Sequence, residues 1–124
     1  CLRPPGFPDE ERDVVWRPGA FELGVVAATG ADSGRYSALV ALGCVVRGET
    51  PHFEYVAGEA ARALSEVAVR FRIPVGFGVL TTDTMEQALD RAGGAAGNKG
   101  YEAAEAALRA ADVLGRLRGV NASA

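Results

Sequence analysis

The sequence predicts an α/β domain in which a parallel β-sheet is covered by helices on both faces. Short apolar stretches typical of buried strands alternate with longer stretches in which apolar residues recur at helical spacing. Strands that alternate with helices form parallel sheets, because each helix carries the chain back to the start of the next strand. A length of 124 residues suits one domain with a sizeable core, so we treat residues 1–124 as a single domain.

The first part of the chain predicts a loop, a strand, a helix and a second strand. Residues 1–12 are polar and interrupted by proline, which indicates a loop, and residues 13–16 form a short apolar strand before a proline–glycine turn. Residues 20–31 have helical spacing, although Gly24 weakens this helix by about 1 kcal/mol relative to alanine. Residues 38–46 are apolar throughout, which is typical of a parallel strand covered on both faces.

The second part of the chain begins with a long amphipathic helix. Thr50 is its predicted N-cap, and Pro51 stands at the first helical position, where the missing N–H does no harm. Apolar residues then recur every three or four positions as far as Phe71, which gives the helix one apolar face. The remaining predicted elements are a strand over 73–80, a helix over 84–92 that opens with a capping box, a tight glycine-rich helix–helix connection, and a final helix over 99–117.

Composition excludes several classes of protein. The net charge is −3 with both signs interspersed, so no basic surface for nucleic acid is expected. Two cysteines and one histidine are too few for a disulfide framework or a zinc site. No apolar stretch approaches the ~20 residues that span a bilayer, so no membrane partner is expected. The polar, proline-interrupted N-terminus does not resemble a signal peptide, and we therefore expect a cytoplasmic protein.

The single histidine marks the stretch GCVVRGETPHFEY, residues 43–55, where a buried strand becomes a helix. Ligands of open α/β sheets bind beside the carboxyl ends of the strands, and this stretch lies at such an end. Backbone N–H groups and the Thr50 hydroxyl at a helix N-terminus can bind an anion such as phosphate, although the same residues can simply cap the helix. His52 can exchange protons near neutral pH, although a lone histidine is more often a surface or packing residue.

Longer blocks resemble a known family. The stretch GCVVRGETPHFEYVAGEAA, with PGAFEL before it and FGVLTTDTMEQALDRAGG and AGNKG after it, closely resembles lumazine synthase over about residues 13–118. The resemblance implies a flavodoxin-like, three-layer α/β/α subunit without metal or organic cofactor. It also implies homo-oligomers, which are pentamers or sixty-subunit icosahedral shells with active sites between subunits.

The family condenses two small molecules in riboflavin biosynthesis. The resemblance implies that 5-amino-6-(D-ribitylamino)uracil reacts with 3,4-dihydroxy-2-butanone 4-phosphate to give 6,7-dimethyl-8-ribityllumazine, phosphate and water. The residues that match the family's substrate-binding positions are Ala20, Phe21, Glu22, Cys44, Val45, Val46, Phe77 and Lys99. Those that match its phosphate-binding positions are Glu49, Thr50 and Arg91, and His52 matches its proposed proton donor. The family supplies the counterparts of Phe77 and Arg91 from the neighbouring subunit.

The chain also departs from the family pattern. The family has an additional N-terminal strand and helix that are missing from this sequence, and with them goes an aromatic residue that stacks on the pyrimidine. We therefore keep two functional hypotheses, an active synthase and a non-catalytic shell-forming or ligand-binding subunit of the same fold. Retention of Thr50, His52 and Arg91 favours the enzyme, because a scaffold needs none of them.

Overall fold

Two parallel strands form the centre of the structure, a computed structural model that describes residues 12–16 and 19–119. β1 (Leu39–Val46) pairs with β2 (Val75–Thr82), with Leu39 opposite Val75 and Val46 opposite Thr82. The register is therefore unbroken, and the two carboxyl ends lie side by side. Most of the predicted loop over residues 1–12 and most of the first predicted turn lie outside the described residues.

Helices cover both faces of this sheet. On one face lie a short 3₁₀ turn (Ala20–Glu22), α1 (Leu23–Asp32) and α2 (His52–Phe71), and on the other lies α4 (Lys99–Leu117). Side chains of a strand alternate between the two faces, and the sheet follows this rule. The α1–α2 face carries the core cluster of Leu23, Ala41, Ala60, Leu64 and Val79. The predicted three-layer α/β/α arrangement with a parallel sheet is confirmed.

The α4 face of β2 is built for close approach of helix and strand. A methyl group on Gly76 would collide with the carbonyl oxygen of Ala103, and one on Gly78 would lie 3.3 Å from the Ala103 methyl carbon. Glycine at these two strand positions lets the backbone of α4 lie directly on the sheet. Small residues of α4, including Ala107, fill the remaining space.

The predicted capping box is confirmed at the start of α3 (Met85–Arg91). The Thr84 hydroxyl oxygen accepts a hydrogen bond from the Gln87 backbone N–H at 3.1 Å. The Gln87 side-chain oxygen accepts from the Thr84 and Asp83 backbone N–H groups at 3.4 and 2.9 Å. Donors that a helix start leaves without partners are therefore satisfied locally, which fixes the direction in which the chain leaves β2.

The glycine-rich connection between the last two helices is more ordered than the sequence predicted. It forms an antiparallel hairpin of β3 (Ala92–Gly94) and β4 (Gly97–Asn98). Gly93 and Gly97 have φ angles of 114° and 97°, which other residues rarely adopt. Asn98 then caps α4 by accepting a hydrogen bond from the Tyr101 backbone N–H at 3.0 Å.

The prediction of a strand over residues 13–16 is wrong. These residues lie in no strand, and Val14, Val15 and Trp16 are exposed, the last at 87 % of its surface. A strand needs a neighbouring strand to take its backbone hydrogen bonds, and within the described chain this segment has none. Asp13 is instead held through its side chain, which accepts a hydrogen bond from the Tyr36 hydroxyl.

Two predicted element boundaries also differ from the structure. Pro51, not Thr50, is the N-cap of α2, and the cap makes no side-chain hydrogen bond. The strand predicted over residues 73–80 starts at Val75, because Pro74 has no N–H for the ladder and contributes only its carbonyl, which accepts from Leu39 at 2.9 Å. At its other end this strand continues to Thr82, whose carbonyl accepts from the Arg47 backbone N–H.

Candidate functional site

The carboxyl edge of the sheet is the candidate site. β1 ends at Val46 and β2 at Thr82, and the chain leaves this edge through the turn 47–51 and through Asp83 and Thr84. Open α/β sheets bind their ligands at this edge. A separate groove of about 490 Å³ is lined by α1, from Gly24 to Asp32, and by the C-terminal half of α2, from Ala63 to Phe71, and includes no residue of the turn 47–51.

The turn that follows β1 presents its polar groups to solvent. All residues from Arg47 to His52 are exposed, and α2 begins directly behind them. Within the described chain the Thr50 hydroxyl makes no hydrogen bond, so it is available to a ligand. A methyl group built on Gly48 would meet no atom within 4 Å. Together with the N–H groups at the start of a twenty-residue helix, this turn can receive an anion.

Arg47 joins this turn to the next loop of the same edge. Its Nε donates to Oδ1 of Asp83 at 2.7 Å, and its guanidinium lies 4.8 Å from the centre of the Phe53 ring. The hydrogen bond to Asp83 raises the pKa of Arg47 above its already high ordinary value, so the group is a cation at every working pH. The edge therefore carries a fixed ion pair of Arg47 and Asp83 beside the turn.

The other predicted pyrimidine and ribityl positions of this subunit flank the edge. Ala20 and Val45 both pack against the core cluster, and the 3₁₀ turn that contains Ala20 contacts β1 and α2. Cys44 is a free, exposed thiol near the end of β1. One oxygen of Glu22, Oε2, is buried and has no hydrogen-bond partner among residues 12–16 and 19–119, so this carboxylate has an acceptor to offer.

The remaining predicted residues of the 3₁₀ turn and β1 complete this group. Phe21 is 62 % exposed, so its ring does not contribute to the core and stays free for contact. Val46 is the last residue of β1 and stands directly before Arg47. Glu49 lies in the exposed turn beside Thr50.

Three predicted site residues lie neither in the turn after β1 nor at the end of a strand. Phe77 lies five residues before the end of β2, which corresponds to roughly 16 Å of strand, and it is 47 % exposed. Arg91 is the last residue of α3, and its guanidinium donates to the Gln87 carbonyl at 3.0 Å. Lys99 opens α4 and pairs with Glu102 at 3.6 Å.

Sequence reasoning missed two residues of the edge, Arg47 and Asp83. Each directly follows an apolar strand, and parallel neighbours bring their carboxyl ends together. That position was the available signal, but the pairing also needs the register of β1 and β2, which places Val46 beside Thr82.

Two classes of site find no support among residues 12–16 and 19–119. There, no three side chains of the metal-binding types gather closely enough to hold an ion. Over the same residues, every helix is too short or too polar to cross a membrane.

Comparison with known proteins gives a consistent match. The family model described as 6,7-dimethyl-8-ribityllumazine synthase matches residues 1–115. The 6,7-dimethyl-8-ribityllumazine synthase of Edwardsiella ictaluri (strain 93-146) is 56 % identical over 110 residues, which are 89 % of this chain and 70 % of that protein. The protein of the same name from Yersinia pestis (strain Pestoides F) is 56 % identical over 111 residues, or 90 % of this chain and 71 % of the relative.

Proposed function

The chain belongs to the 6,7-dimethyl-8-ribityllumazine synthase family, and we propose that it catalyses that family's condensation at the carboxyl edge of its sheet. It is accordingly a transferase of riboflavin biosynthesis. Its substrates are two small molecules, 5-amino-6-(D-ribitylamino)uracil and 3,4-dihydroxy-2-butanone 4-phosphate. A cytoplasmic location is part of the same proposal.

The observation that carries this proposal is the exposed turn between β1 and α2. It combines an unpartnered Thr50 hydroxyl, the N-terminus of a long helix and the imidazole of His52 within a few residues. Gly48 has open space around it, so nothing in this chain's own packing requires glycine there. Close approach of a ligand to the backbone supplies the missing reason. We assign the phosphate of the butanone substrate to this turn.

The reaction suits a site with few reactive groups. An amine attacks a ketone, water leaves, phosphate is eliminated, and a second amine closes the ring on the remaining carbonyl with loss of a second water. Each step needs proton transfer and alignment of two small molecules, and none needs a nucleophile from the protein. Positioning and anion binding therefore supply most of the acceleration. His52 stands beside the phosphate and moves the proton that its departure requires.

The uracil substrate is assigned to the remaining groups of the edge. The segment Ala20–Glu22 and the end of β1 from Cys44 to Val46 hold the pyrimidine and the ribityl chain. The unpartnered Oε2 of Glu22 supports this assignment, because ribityl hydroxyl groups are hydrogen-bond donors. Lys99 lies near the ligand in the same proposal.

We further propose that the site is completed by a neighbouring subunit of a homo-oligomer, as a pentamer or a shell of pentamers. Phe77 lies in the middle of β2 and Arg91 at the end of α3, outside the turn of their own subunit, and Phe77 exposes nearly half of its aromatic side chain. An exposed aromatic ring supports a role at a contact with another chain. In this arrangement Arg91 of one subunit binds the phosphate held by Thr50 of the next.

A direct assay tests the proposed function. The purified protein is mixed with both substrates, and lumazine formation is followed by absorbance and fluorescence. We expect a rate above the uncatalysed background, and its loss in Thr50→Glu, which puts a carboxylate where phosphate must bind. Thr29→Glu makes the same change on α1, away from the edge, and should keep wild-type activity. A wild-type rate equal to background would instead support a non-catalytic subunit.

A further inference from the structure

Arg47 is tied to both loops of the carboxyl edge. Its backbone N–H donates to the Thr82 carbonyl at 2.8 Å, and its Nε donates to Asp83 at 2.7 Å. Its guanidinium also lies over the Phe53 ring, and Nη1 is 3.9 Å from a carboxylate oxygen of Glu54. One side chain therefore contacts the end of β2 and the first turn of α2 together.

The partner of Arg47 is itself held in place. The backbone N–H of Asp83 donates to the Gln87 side-chain oxygen at 2.9 Å, within the capping box of α3. A continuous set of hydrogen bonds thus runs from the start of α3 through Asp83 to Arg47. From Arg47 the connection continues to the start of α2 through the Phe53 ring and the ion pair with Glu54.

The turn has little else to hold its shape. Apart from the bonds of Arg47, the hydrogen bond that involves residues 48–51 within the described chain joins the Glu54 N–H to the Pro51 carbonyl at 3.0 Å. Gly48 and Thr50 are exposed, and in the described part of the chain no atom lies within 4 Å of the place that a Gly48 methyl group would take. The position of the turn is therefore set by the residues on either side of it. Of these, Arg47 contacts the neighbouring strand β2.

We propose that Arg47 is a positioning residue, which acts through Asp83 and Phe53 to hold the anion-binding turn and His52 in their working geometry. This inference deepens the proposed function and rests on it. The guanidinium is planar with donors in fixed directions, and here Nε is hydrogen-bonded to Asp83, Nη1 lies 3.9 Å from Glu54, and one face lies over Phe53. In this proposal Arg47 acts through these contacts within the chain, and the substrate is bound by the turn that they hold.

A positioning role of Arg47 and direct phosphate binding by Arg47 predict opposite changes of phosphate affinity in Asp83→Asn. If Arg47 bound the phosphate itself, Asp83→Asn would release its guanidinium and leave phosphate binding equal or tighter. If Arg47 acts through Asp83, then Asp83→Asn and Arg47→Gln remove the same connection. The double variant should then be no worse than either single variant, because the two residues work as a unit.

The test compares these variants in the full-length protein. Steady-state kinetics give kcat and the KM for the butanone phosphate, and calorimetry gives the affinity for inorganic phosphate. We expect both single variants and the double variant to lose affinity and turnover to the same extent, by up to roughly 10²-fold, the scale of a 1 Å misplacement. Arg47→Lys should lose as much, because lysine keeps the charge without the planar fork.

Arg62→Gln is the matched control. Arg62 is also an exposed arginine between two carboxylates, Glu59 and Glu66, but it lies within α2, ten residues after His52. Exposed pairs contribute little to folding, so all these variants should keep the wild-type thermal midpoint and oligomeric state. Arg62→Gln should also keep wild-type kinetics and phosphate affinity.

Three results would overturn the inference. The first is wild-type kinetics in both Arg47→Gln and Asp83→Asn. The second is a loss of phosphate affinity and turnover in Arg47→Gln but not in Asp83→Asn. The third is kinetic loss that only accompanies a lower thermal midpoint or failed assembly. The phosphate titration needs no turnover, so it decides the role of Arg47 even if the wild-type protein makes no lumazine and the proposed function fails.

Discussion

Gly24 of α1 and Ala63 of α2 stand so close that a methyl group on Gly24 would lie 2.6 Å from the Ala63 methyl carbon. The sequence indicated only that Gly24 weakens its helix. In the structure the absence of a side chain at Gly24 lets α1 pack directly on α2. This contact holds the 3₁₀ turn Ala20–Glu22, which precedes α1, against the same sheet face as α2.

Substitution of Gly24 should therefore destabilise the fold despite the better helix propensity of alanine. Overpacking in a close contact costs about 1–3 kcal/mol. Gly58 is the matched control, because it lies within α2 with nothing around it, and Gly58→Ala should stabilise by up to about 1 kcal/mol. The free energy of unfolding from denaturant titration measures both. Equal effects of the two substitutions would contradict the packing account.

The capping box of α3 should be worth a measurable amount of stability. Thr84→Ala removes the hydroxyl that accepts from the Gln87 N–H, and loss of such a cap costs about 1 kcal/mol. Thr84→Ser keeps an acceptor at the same place and should stay close to wild type. Thermal unfolding compares the three proteins, and a serine variant as unstable as the alanine variant would show that the lost methyl group, not the cap, matters.

His52→Ala should slow turnover and leave assembly intact, because His52 is exposed at the start of α2. General acid–base groups contribute ~10²–10⁴-fold, and we expect about 10²-fold or less because positioning carries most of this reaction. Initial rates under saturating substrates measure the change, and light scattering checks the oligomer. A variant with the wild-type rate would remove His52 from the mechanism.

Gly48→Ala should weaken binding of the phosphate. No atom of the chain lies where the new methyl group would stand, so the protein should fold normally while the methyl group crowds the anion. We expect a higher KM for the butanone phosphate and weaker competitive inhibition by inorganic phosphate. Gly58→Ala, a second glycine with open space, should leave both constants unchanged. Inhibition by phosphate that is noncompetitive with this substrate would place the anion elsewhere.

Much of the fold follows from the sequence because its main elements are long and strongly patterned. The continuous apolar stretch of β1 and the helical spacing of apolar residues in α2 each identify the element from one segment alone. The segment 13–16 has an equally apolar composition but lies in no strand, because strand formation depends on a partner that local composition does not reveal.

The site was predictable where it lies in one stretch of chain, and not where it depends on two. The turn with Thr50 and His52 is contiguous, so its chemistry could be inferred directly from the order of residues. The contact of Arg47 with Asp83 joins residues thirty-six positions apart. It exists only because the register of β1 and β2 brings their ends together.

The central claim is that one phosphate is held by Thr50 of one subunit and Arg91 of its neighbour, and mixed oligomers test it most directly. Thr50→Glu and Arg91→Glu each put a negative charge into this shared site, so each pure variant should be nearly inactive. When the two are refolded together in equal amounts, intact Thr50 meets intact Arg91 at about a quarter of the head-to-tail interfaces of a ring.

Lumazine formation by the co-refolded mixture is the decisive measurement. We predict recovery towards roughly a quarter of the wild-type rate, and none when separately assembled oligomers are only mixed. Differently tagged subunits verify co-assembly. No recovery in verified mixed oligomers would contradict the account, because both residues would then serve a site within one subunit.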